Sequence, residues 1–263
     1  SEEEMEKLVT ATRELKESKD TPSTPEIMAK IPLLKREDIE KKAETFFWKE
    51  KEEGGIKVLH HNFFTSGIGY LKVLFNTEVL PQEDITYAGM LKSILGSIST
   101  EHYSYSDLTS EIHLNSGCVD FSVTSYPDLA DPERFTGAFV ASIRVLYYKL
   151  DFGFTILEEF LNHSVFTDEK RLGEVIQETR SRAKMKLENA GHSTAVSRAT
   201  SYFSATAYYN ELTGGTAYYH FLEQLEKDYA NKKGEIMARL QEVSRKLFTR
   251  ANMLVNYTAD DKG

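Results

Sequence analysis

The fold is decided by a stretch near the middle of the chain, Val119-Asp120-Phe121-Ser122-Val123-Thr124, in which apolar and polar residues alternate without a break. Because successive side chains of a β-strand point to opposite faces, this alternation predicts a strand with one buried face. A second strand is predicted from Thr136 to Tyr147, and its apolar face is formed by Phe139, Ala141, Ile143 and Val145. Together the two stretches predict a sheet that is covered on one side.

Two further extended runs lie on the N-terminal side of these strands. Ile56 to Phe64 and Ile68 to Phe75 are separated by the turn residues Thr65-Ser66-Gly67. Apolar runs joined by a short turn that contains glycine are typical of a β-hairpin, so these two runs are predicted to pair with each other.

The rest of the chain beyond residue 46 is predicted to be largely helical. Helical spacing of apolar residues predicts helices that begin after Pro81, near Asp107 to Leu114, around Leu172 to Leu187, around Tyr218 to Leu225 and around Ile236 to Leu247. A final strand is predicted around Met253 to Tyr257, returning to the sheet. This order predicts an α+β fold with a mostly antiparallel sheet and helices packed on one face.

Residues 1 to 45 differ in character from residues 46 to 263. An amphipathic helix is predicted from Glu2 to Lys19 and ends before two prolines, a short helix follows near Glu26 to Lys30, and a charged helix is predicted from Lys35 to Glu44. Apolar residues are too sparse in this part to form a core of its own. The sequence therefore predicts a helical arm over 1–45 and an α+β unit over 46–263.

Composition excludes several classes of function. The 263 residues have a formal charge of −9 and a pI near 5.4, whereas nucleic-acid binding depends on clustered cations. No apolar run is long enough to cross a membrane, so neither nucleic acid nor membrane is an expected partner. Cys118 is the single cysteine, which favours a reducing compartment such as the cytoplasm or an organelle matrix. A start without methionine, inside a helical pattern, indicates an excised segment.

Short motifs spread over the whole chain carry a family resemblance. They are Ile31 to Ile39, Asp107-Leu108 through Glu111-Ile112, Gly117 with the strand to Ser125-Tyr126, Leu172 to Arg182, Gly191-His192, Ala199 to Tyr202 and Leu212 to Leu222. In this order they resemble the insulinase/pitrilysin superfamily of zinc metallopeptidases, specifically its presequence-protease branch. The first motif is similar to the central helical linker of that branch, and the others to its third, non-catalytic homologous unit.

The resemblance implies four homologous units that form two halves closing on a chamber, with zinc bound by the first unit alone. In that unit a helix carries H-x-x-E-H, whose histidines bind the metal and whose glutamate activates water. The corresponding helix here, Thr86 to Ile98, contains no histidine and no carboxylate. The resemblance thus implies zinc and endopeptidase activity for the parent chain, but no cofactor and no catalysis for this segment.

The implied partners are the remaining units of the parent chain and unfolded peptides as its substrates. Amphipathic residues 5 to 15 and the apolar stretch Ile31 to Leu34 would pack against those missing units. Left uncovered, such apolar patches favour self-association of the isolated segment. Two alternatives stay open: a non-catalytic interaction or processing subunit that pairs with an active partner chain, and a stand-alone α+β binding module.

Histidine pairs are the first candidates for a metal site, and the sequence gives each a structural interpretation. His60 and His61 are neighbours on a strand and point to opposite faces, so they cannot share one ion. Glu159 and His163 are four apart on a predicted helix, but two ligands alone make a weak site. Glu101-His102 are again sequential neighbours.

Carboxylates and the cysteine also have structural interpretations. Glu174 and Glu178 lie one helical turn apart, and Arg171 and Arg182 are spaced to form ion pairs with them on a solvated face. Cys118, at the head of a strand, is predicted to be a small buried apolar residue.

An unusually dense group of aromatic residues brackets the polar turn at 213–216. These residues are Tyr202, Phe203, Tyr208, Tyr209, Tyr218 and Tyr219. One interpretation is packing in the core and between helices. The other is a wall formed by Tyr202, Tyr208, Tyr209, Tyr218 and Tyr219 that contacts extended peptide in the closed chamber.

Overall fold

The computed structural model describes residues 1–42, 45–131 and 133–263. The chain divides into two compact units, Ser1–Phe46 and Phe47–Gly263. No helix of the described chain combines the length and the apolar character needed to cross a membrane.

The first unit, here called the arm, contains helix α1, Glu2–Asp20, and one-turn helix α2, Pro25–Met28. α1 begins with a capping box, in which the Ser1 hydroxyl accepts from the Glu4 backbone while the Glu4 carboxylate accepts from the Ser1 amine. Every described residue of the arm is exposed. The predicted helix Lys35 to Glu44 is wrong for its described part, since only Arg36–Asp38 form a single 3₁₀ turn; residues 43 and 44 lie outside the described residues.

The second unit, here called the globular unit, is built on a six-stranded sheet with the order β1-β2-β6-β3-β5-β4. Strands β2 and β6 run parallel, and the other four neighbouring pairs are antiparallel, so the predicted α+β class and mostly antiparallel sheet are confirmed. The strands are β1 Lys49–Glu53, β2 Ile56–Asn62, β3 Ile68–Asn76, β4 Cys118–Pro127, β5 Phe135–Leu146 and β6 Met253–Ala259.

The predicted hairpin between β2 and β3 is wrong, although both strands exist. β6 lies between them and pairs with each, so that His60 and Leu71 are both opposite Tyr257. The hairpin of this region is formed instead by β1 and β2. Gly54 and Gly55, with φ of 56° and 81°, supply the left-handed turn that a two-residue hairpin loop requires.

Helices cover one face of the sheet. The helices are α3 Ile85–Ile94, α4 Tyr105–Asn115, α5 Leu150–Asn162, α6 Glu169–Asn189, α7 Gly191–Thr200, α8 Ala205–Gly214 and α9 Thr216–Leu247. Leu71 of β3 and Phe139 and Ile143 of β5 share the core with residues of α3, α5, α6 and α9, whereas Tyr70 and Lys72 are exposed on the opposite face. The predicted alternation of β5 is therefore confirmed.

Two helix boundaries differ from the prediction. The helix predicted over Thr86 to Ile98 ends at Ile94, because Gly96 takes a φ of 83° and turns the chain away. The two helices predicted on either side of residue 230 form the single helix α9, which bends at Lys232 without ending.

The start of α9 is fixed by one buried carboxylate. Glu211 accepts hydrogen bonds from the backbone N–H groups of Thr216 (3.1 Å) and Ala217 (3.0 Å) and from the Arg198 guanidinium (3.2 Å). A Cβ atom at Gly215 would overlap this carboxylate, which explains the glycine there. The turn between α8 and α9 is thereby tied to α7, which carries Arg198.

Candidate functional site

Two neighbouring cavities, of 560 Å³ and 450 Å³, lie beside strand β4. Lys92, Lys186 and Gly214 line both cavities, so the two form one continuous groove. Its size falls within the range of ligand-binding clefts. One wall of this groove is β4, from Val119 to Val123, and the other is formed by α6 and α7.

The β4 wall is a free edge of the sheet. β4 pairs with β5 on one side and stands at the end of the strand order, so within the described chain its other side has no strand partner. Alternate backbone N–H and C=O groups of an edge strand point away from the sheet and remain available for pairing. Val119, Phe121 and Val123 are half-buried along this wall. Beyond the groove, the Ser125 hydroxyl donates to the Asn210 side chain of α8 at 3.0 Å.

Lys92 of α3 lies at the junction of the two cavities. Its ammonium donates to the Thr213 carbonyl at 2.6 Å and stands 5.3 Å from the ring centre of Tyr218. Burial, together with the nearby charge of Lys186, lowers the pKa of Lys92 to about 8. Among the described residues neither Lys92 nor Lys186 forms an ion pair, so two cations face the groove without a carboxylate.

Other charged groups of the groove are already paired or lie at its rim. Glu178 and Arg182, one turn apart on α6, form an exposed ion pair, and Arg171 and Glu174 form another at 3.2 Å. The prediction of a solvated, ion-paired face on this helix is therefore confirmed. Asp120 of β4 is exposed beside the first cavity.

The donor atoms of this region do not fit zinc. Ile85–Ile94 of α3 includes Lys92 but no histidine, cysteine or carboxylate. Across the described residues, no group of three or more His, Cys, Asp and Glu side chains is arranged to hold a metal ion. An ammonium repels a cation, so Lys92 makes the groove a site for negative rather than positive ligands.

The two His and Glu candidates of the sequence come together in a crossed arrangement. His102 Nδ1 is 2.9 Å from Glu159, and His163 Nδ1 is 2.9 Å from Glu101, with the imidazole rings 5.2 Å apart. Each histidine therefore pairs with the glutamate from the other sequence pair. The hydrogen bond and charge of Glu101 raise the pKa of His163. This cluster joins the 99–103 loop to the end of α5.

The tyrosines of the predicted peptide wall occupy different surroundings. Tyr209 and Tyr218 are buried in the core, at 6% and 4% exposed, although Tyr218 also borders the groove. Tyr202 is exposed with Arg198 over its ring, and Tyr219 donates to Glu223. Tyr208 is half-exposed and borders, with Tyr209, a separate cavity of 330 Å³. Their contact with peptide stays a prediction, and the core interpretation describes Tyr209 and Tyr218.

The remaining sequence candidates have ordinary structural surroundings. On β2, His60 stacks on Tyr257 with ring centres 6.1 Å apart, while His61 lies 3.0 Å from the Asn256 amide. Cys118 is half-buried at the start of β4, as its position predicted. These contacts account for the three side chains without a ligand.

With the fold and the groove described, the relatives of the chain can be compared. Residues 1–225 match the sequence model of a peptidase-associated family, described as the region associated with subfamily C of metallopeptidase family 16. The chain belongs to this family. The predicted relation to presequence proteases of the insulinase superfamily is confirmed.

Individual relatives are longer proteins. The chain is 34% identical to protein HypA of Clostridium perfringens over 95% of its own length and 26% of that protein. It is 27% identical to presequence protease 1, chloroplastic/mitochondrial, of Arabidopsis thaliana over 100% of its length and 24% of that protein. The chain therefore spans about a quarter of the length of these relatives.

A solved structure shares the fold. A conserved protein from Enterococcus faecalis V583 superposes with a TM-score of 0.55 at 15% identity, covering 78% of this chain and 47% of that one. At this level of identity the likeness concerns the fold alone.

Sequence reasoning overlooked Lys92 and Lys186 as site residues. Lys92 interrupts the apolar stretch from Met90 to Leu95, and a lone lysine on a buried helix face is the signal that could have identified it. Lys186 carries no comparable signal, because α6 is rich in charged residues throughout.

Proposed function

We propose that this chain is a non-catalytic segment that helps to enclose the chamber of a presequence-protease-like zinc metallopeptidase, which degrades unfolded peptides. Membership of the peptidase-associated family supports this, as does a span of about a quarter of the length of the relatives. The same span favours a segment of a longer chain over a separate subunit or a stand-alone binding module.

The observation that carries the proposal is the composition of α3. This helix corresponds by resemblance to the zinc helix of the catalytic unit, yet it carries Lys92 among apolar and small residues. Zinc needs neutral imidazole, thiolate or carboxylate ligands, and α3 offers none. The zinc and the water-activating glutamate would therefore belong to another part of the parent chain.

The arm supports a role within a larger assembly. Met5, Leu8 and Leu15 are exposed on α1, as are Leu33 and Leu34 after α2. Apolar side chains at helical spacing stabilise a protein only when they are covered. We propose that residues 1–45 form a hinge arm packed against the missing units, and that the parent enzyme works in the cytoplasm or an organelle matrix.

Peptide hydrolysis with added zinc tests the proposal. The chain is assayed alone and mixed with a polypeptide that covers the preceding half of its parent chain. Activity is expected in the mixture and not with this chain alone. The matched control replaces the glutamate of the H-x-x-E-H motif in the preceding half by glutamine, which should abolish the activity of the mixture.

Two outcomes would contradict the proposal. Zinc-dependent hydrolysis by this chain alone would show that it has its own catalytic site. Full activity of the preceding half, unchanged when this chain is added, would show that the segment does not complete a chamber.

A further inference from the structure

We propose that the groove beside β4 binds an extended peptide as an additional strand, with an internal Asp or Glu side chain of the peptide held between Lys92 and Lys186. The proposal rests on the proposed function only for the origin of the peptide. It assigns to this chain a substrate preference of its own.

The first step of the argument is the free edge of β4. An extended peptide laid along Val119 to Val123 can exchange backbone hydrogen bonds with the unpaired groups of the edge, as in other cases of strand addition. The groove provides the space for this strand, since its two cavities follow β4 over this whole stretch. At about 3.4 Å per residue, the wall accommodates roughly five peptide residues.

The second step concerns the side chains along the wall. Val119, Phe121 and Val123 are spaced two apart and are half-buried, so each leaves part of its apolar surface open beside the groove. Alternate residues of an added strand point to the same face and would cover this surface. Apolar residues flanking the acidic residue of the peptide are therefore preferred.

The third step is charge. The protein as a whole has a net charge of −9, yet Lys92 and Lys186 both face the groove without an ion pair among the described residues. Partly desolvated ammonium groups that repel each other favour a ligand with a carboxylate between them. Lys92 already donates to the Thr213 carbonyl, and its remaining two N–H groups are the donors for such a ligand.

The fourth step separates an internal side chain from a C-terminal carboxylate. Lys92, Lys186 and Gly214 line both cavities, and the groove continues past them toward Val119 on one side and Val123 on the other. A peptide that follows β4 therefore passes Lys92 in mid-chain. A terminal carboxylate at Lys92 would leave one of the two cavities unused.

Fluorescence anisotropy with the 263-residue chain tests the proposal. The probe is a labelled eight-residue peptide with alternating Val and Thr, a central Glu and an amidated C-terminus, and it is compared with the same peptide carrying Gln instead of Glu. Loss of a charged hydrogen-bond partner is expected to weaken binding about 10- to 100-fold. The Gln peptide with a free C-terminal carboxylate should bind as weakly as its amide.

Variants of the chain identify the groove. Lys92→Met keeps the length of the side chain and removes a partly desolvated charge, so folding should be preserved, and Lys186→Gln removes the exposed partner charge. Both should reduce the difference between the Glu and Gln peptides to less than about threefold. Lys184→Gln is the matched control, since Lys184 lies on the same helix, outside the groove and paired with Glu188, and should change nothing.

Backbone pairing is tested with N-methylated peptides. Methylation of every second peptide nitrogen removes the donors on one side of an extended strand and leaves the other side intact. Strand addition predicts that one of the two methylation patterns abolishes binding while the other preserves it. Equal binding of both patterns would overturn the added strand.

The pH dependence supplies a separate readout. Affinity for the Glu peptide is expected to fall as the pH rises through about 8, because Lys92 then loses its charge. The charged and titratable groups around Lys92 are Lys186, Arg182 and Glu178 of α6, His113 of α4, Asp120 of β4, Glu211 of α8 and Tyr218 of α9. Lys92→Met keeps all of these groups, so the fall should disappear in this variant.

The failure of this inference is distinct from the failure of the proposed function. Equal, weak binding of the Glu and Gln peptides would overturn the groove proposal, even if mixing with the preceding half produces peptidase activity. Selective binding of the Glu peptide without any such activity would instead support the groove and contradict the chamber.

Discussion

The arm and the globular unit contain helices of similar amphipathic pattern but opposite burial. In α1, Leu8 and Leu15 are exposed at helical spacing, whereas in α9 Leu240, Val243 and Leu247 are completely buried at the same kind of spacing. Periodicity therefore identifies the helix and its apolar face in both units. It does not show whether the surface that covers this face belongs to the same segment of chain, and the arm is the case in which the described structure leaves it open.

The largest expected difference between the two units is in amide hydrogen exchange. Amides of α1 should open with a free energy of roughly 0–1 kcal/mol, since a helix without packing is marginal in water. Amides in the second half of α9 should approach the full free energy of unfolding, on the order of 5–15 kcal/mol. Equal protection of both helices, measured by mass spectrometry, would show that the arm is packed in the isolated chain.

Matched leucine truncations sharpen the comparison in stability. Leu240→Ala is expected to lower the free energy of unfolding by about 2–5 kcal/mol, because it leaves a cavity around a buried position. Leu15→Ala, the same change on an exposed helix face, should alter it by less than about 0.5 kcal/mol. Urea unfolding followed by circular dichroism measures both, and a large effect of Leu15→Ala would contradict the exposure of α1.

Helix caps provide a comparison of intermediate size. Glu211→Ala leaves two backbone N–H groups of α9 and the Arg198 guanidinium without their acceptor in a buried place, which should cost about 1–3 kcal/mol. Ser1→Ala removes the exposed cap of α1 and should cost about 0.5 kcal/mol or less. Thermal unfolding of the two variants gives the ranking, which would be reversed if the arm limited the stability.

The smallest expected effect is the titration of one ion pair. The hydrogen bond from Glu101 raises the pKa of His163, so this pair stabilises the fold below the ordinary histidine pKa and is lost as the pH rises through the raised value. Glu101→Gln should therefore lower the His163 midpoint in an NMR titration. In the arm, Glu3→Gln breaks the exposed pair with Lys7 and should have no measurable effect on stability.

The Glu159 side of the cluster responds in the opposite direction. Burial alone would raise the pKa of Glu159, but the hydrogen bonds from Thr100 and His102 outweigh it and lower the value. Its contribution is present above the ordinary glutamate pKa and is lost as the pH falls through the lowered value. A His163 midpoint unchanged in Glu101→Gln would show that the crossed pairs do not form.

The strands could be predicted well because their signal is local. The alternation in β4 and β5 and the final strand β6 follow from side chains two residues apart, and the structure confirms all three. The strand β1 was missed, since Lys49 to Glu53 is entirely charged and has no apolar alternation. The Gly54-Gly55 pair was the available signal, because two adjacent glycines between extended runs favour a tight hairpin turn.

Pairing partners could not be predicted in the same way. Ile68 follows β2 closely in sequence, which favoured a hairpin, yet β6, which comes at the far end of the chain, occupies the place between the two strands. The hydrogen bonds of a sheet are satisfied equally well by near or distant strands. The choice depends on which apolar faces the helices cover, and this is a property of the whole globular unit.

The sequence by itself determined the α+β class, the family, the buried faces of the strands and the absence of zinc ligands from the helix at Thr86 to Ile98. These follow from residue type and short-range spacing. Only the tertiary structure decided that β4 is an edge strand, that Lys92 and Lys186 meet beside it, and that Glu101 and Glu159 exchange their histidine partners. The physical reason is that these features join side chains from distant parts of the chain, whose positions are fixed by the packing of the core.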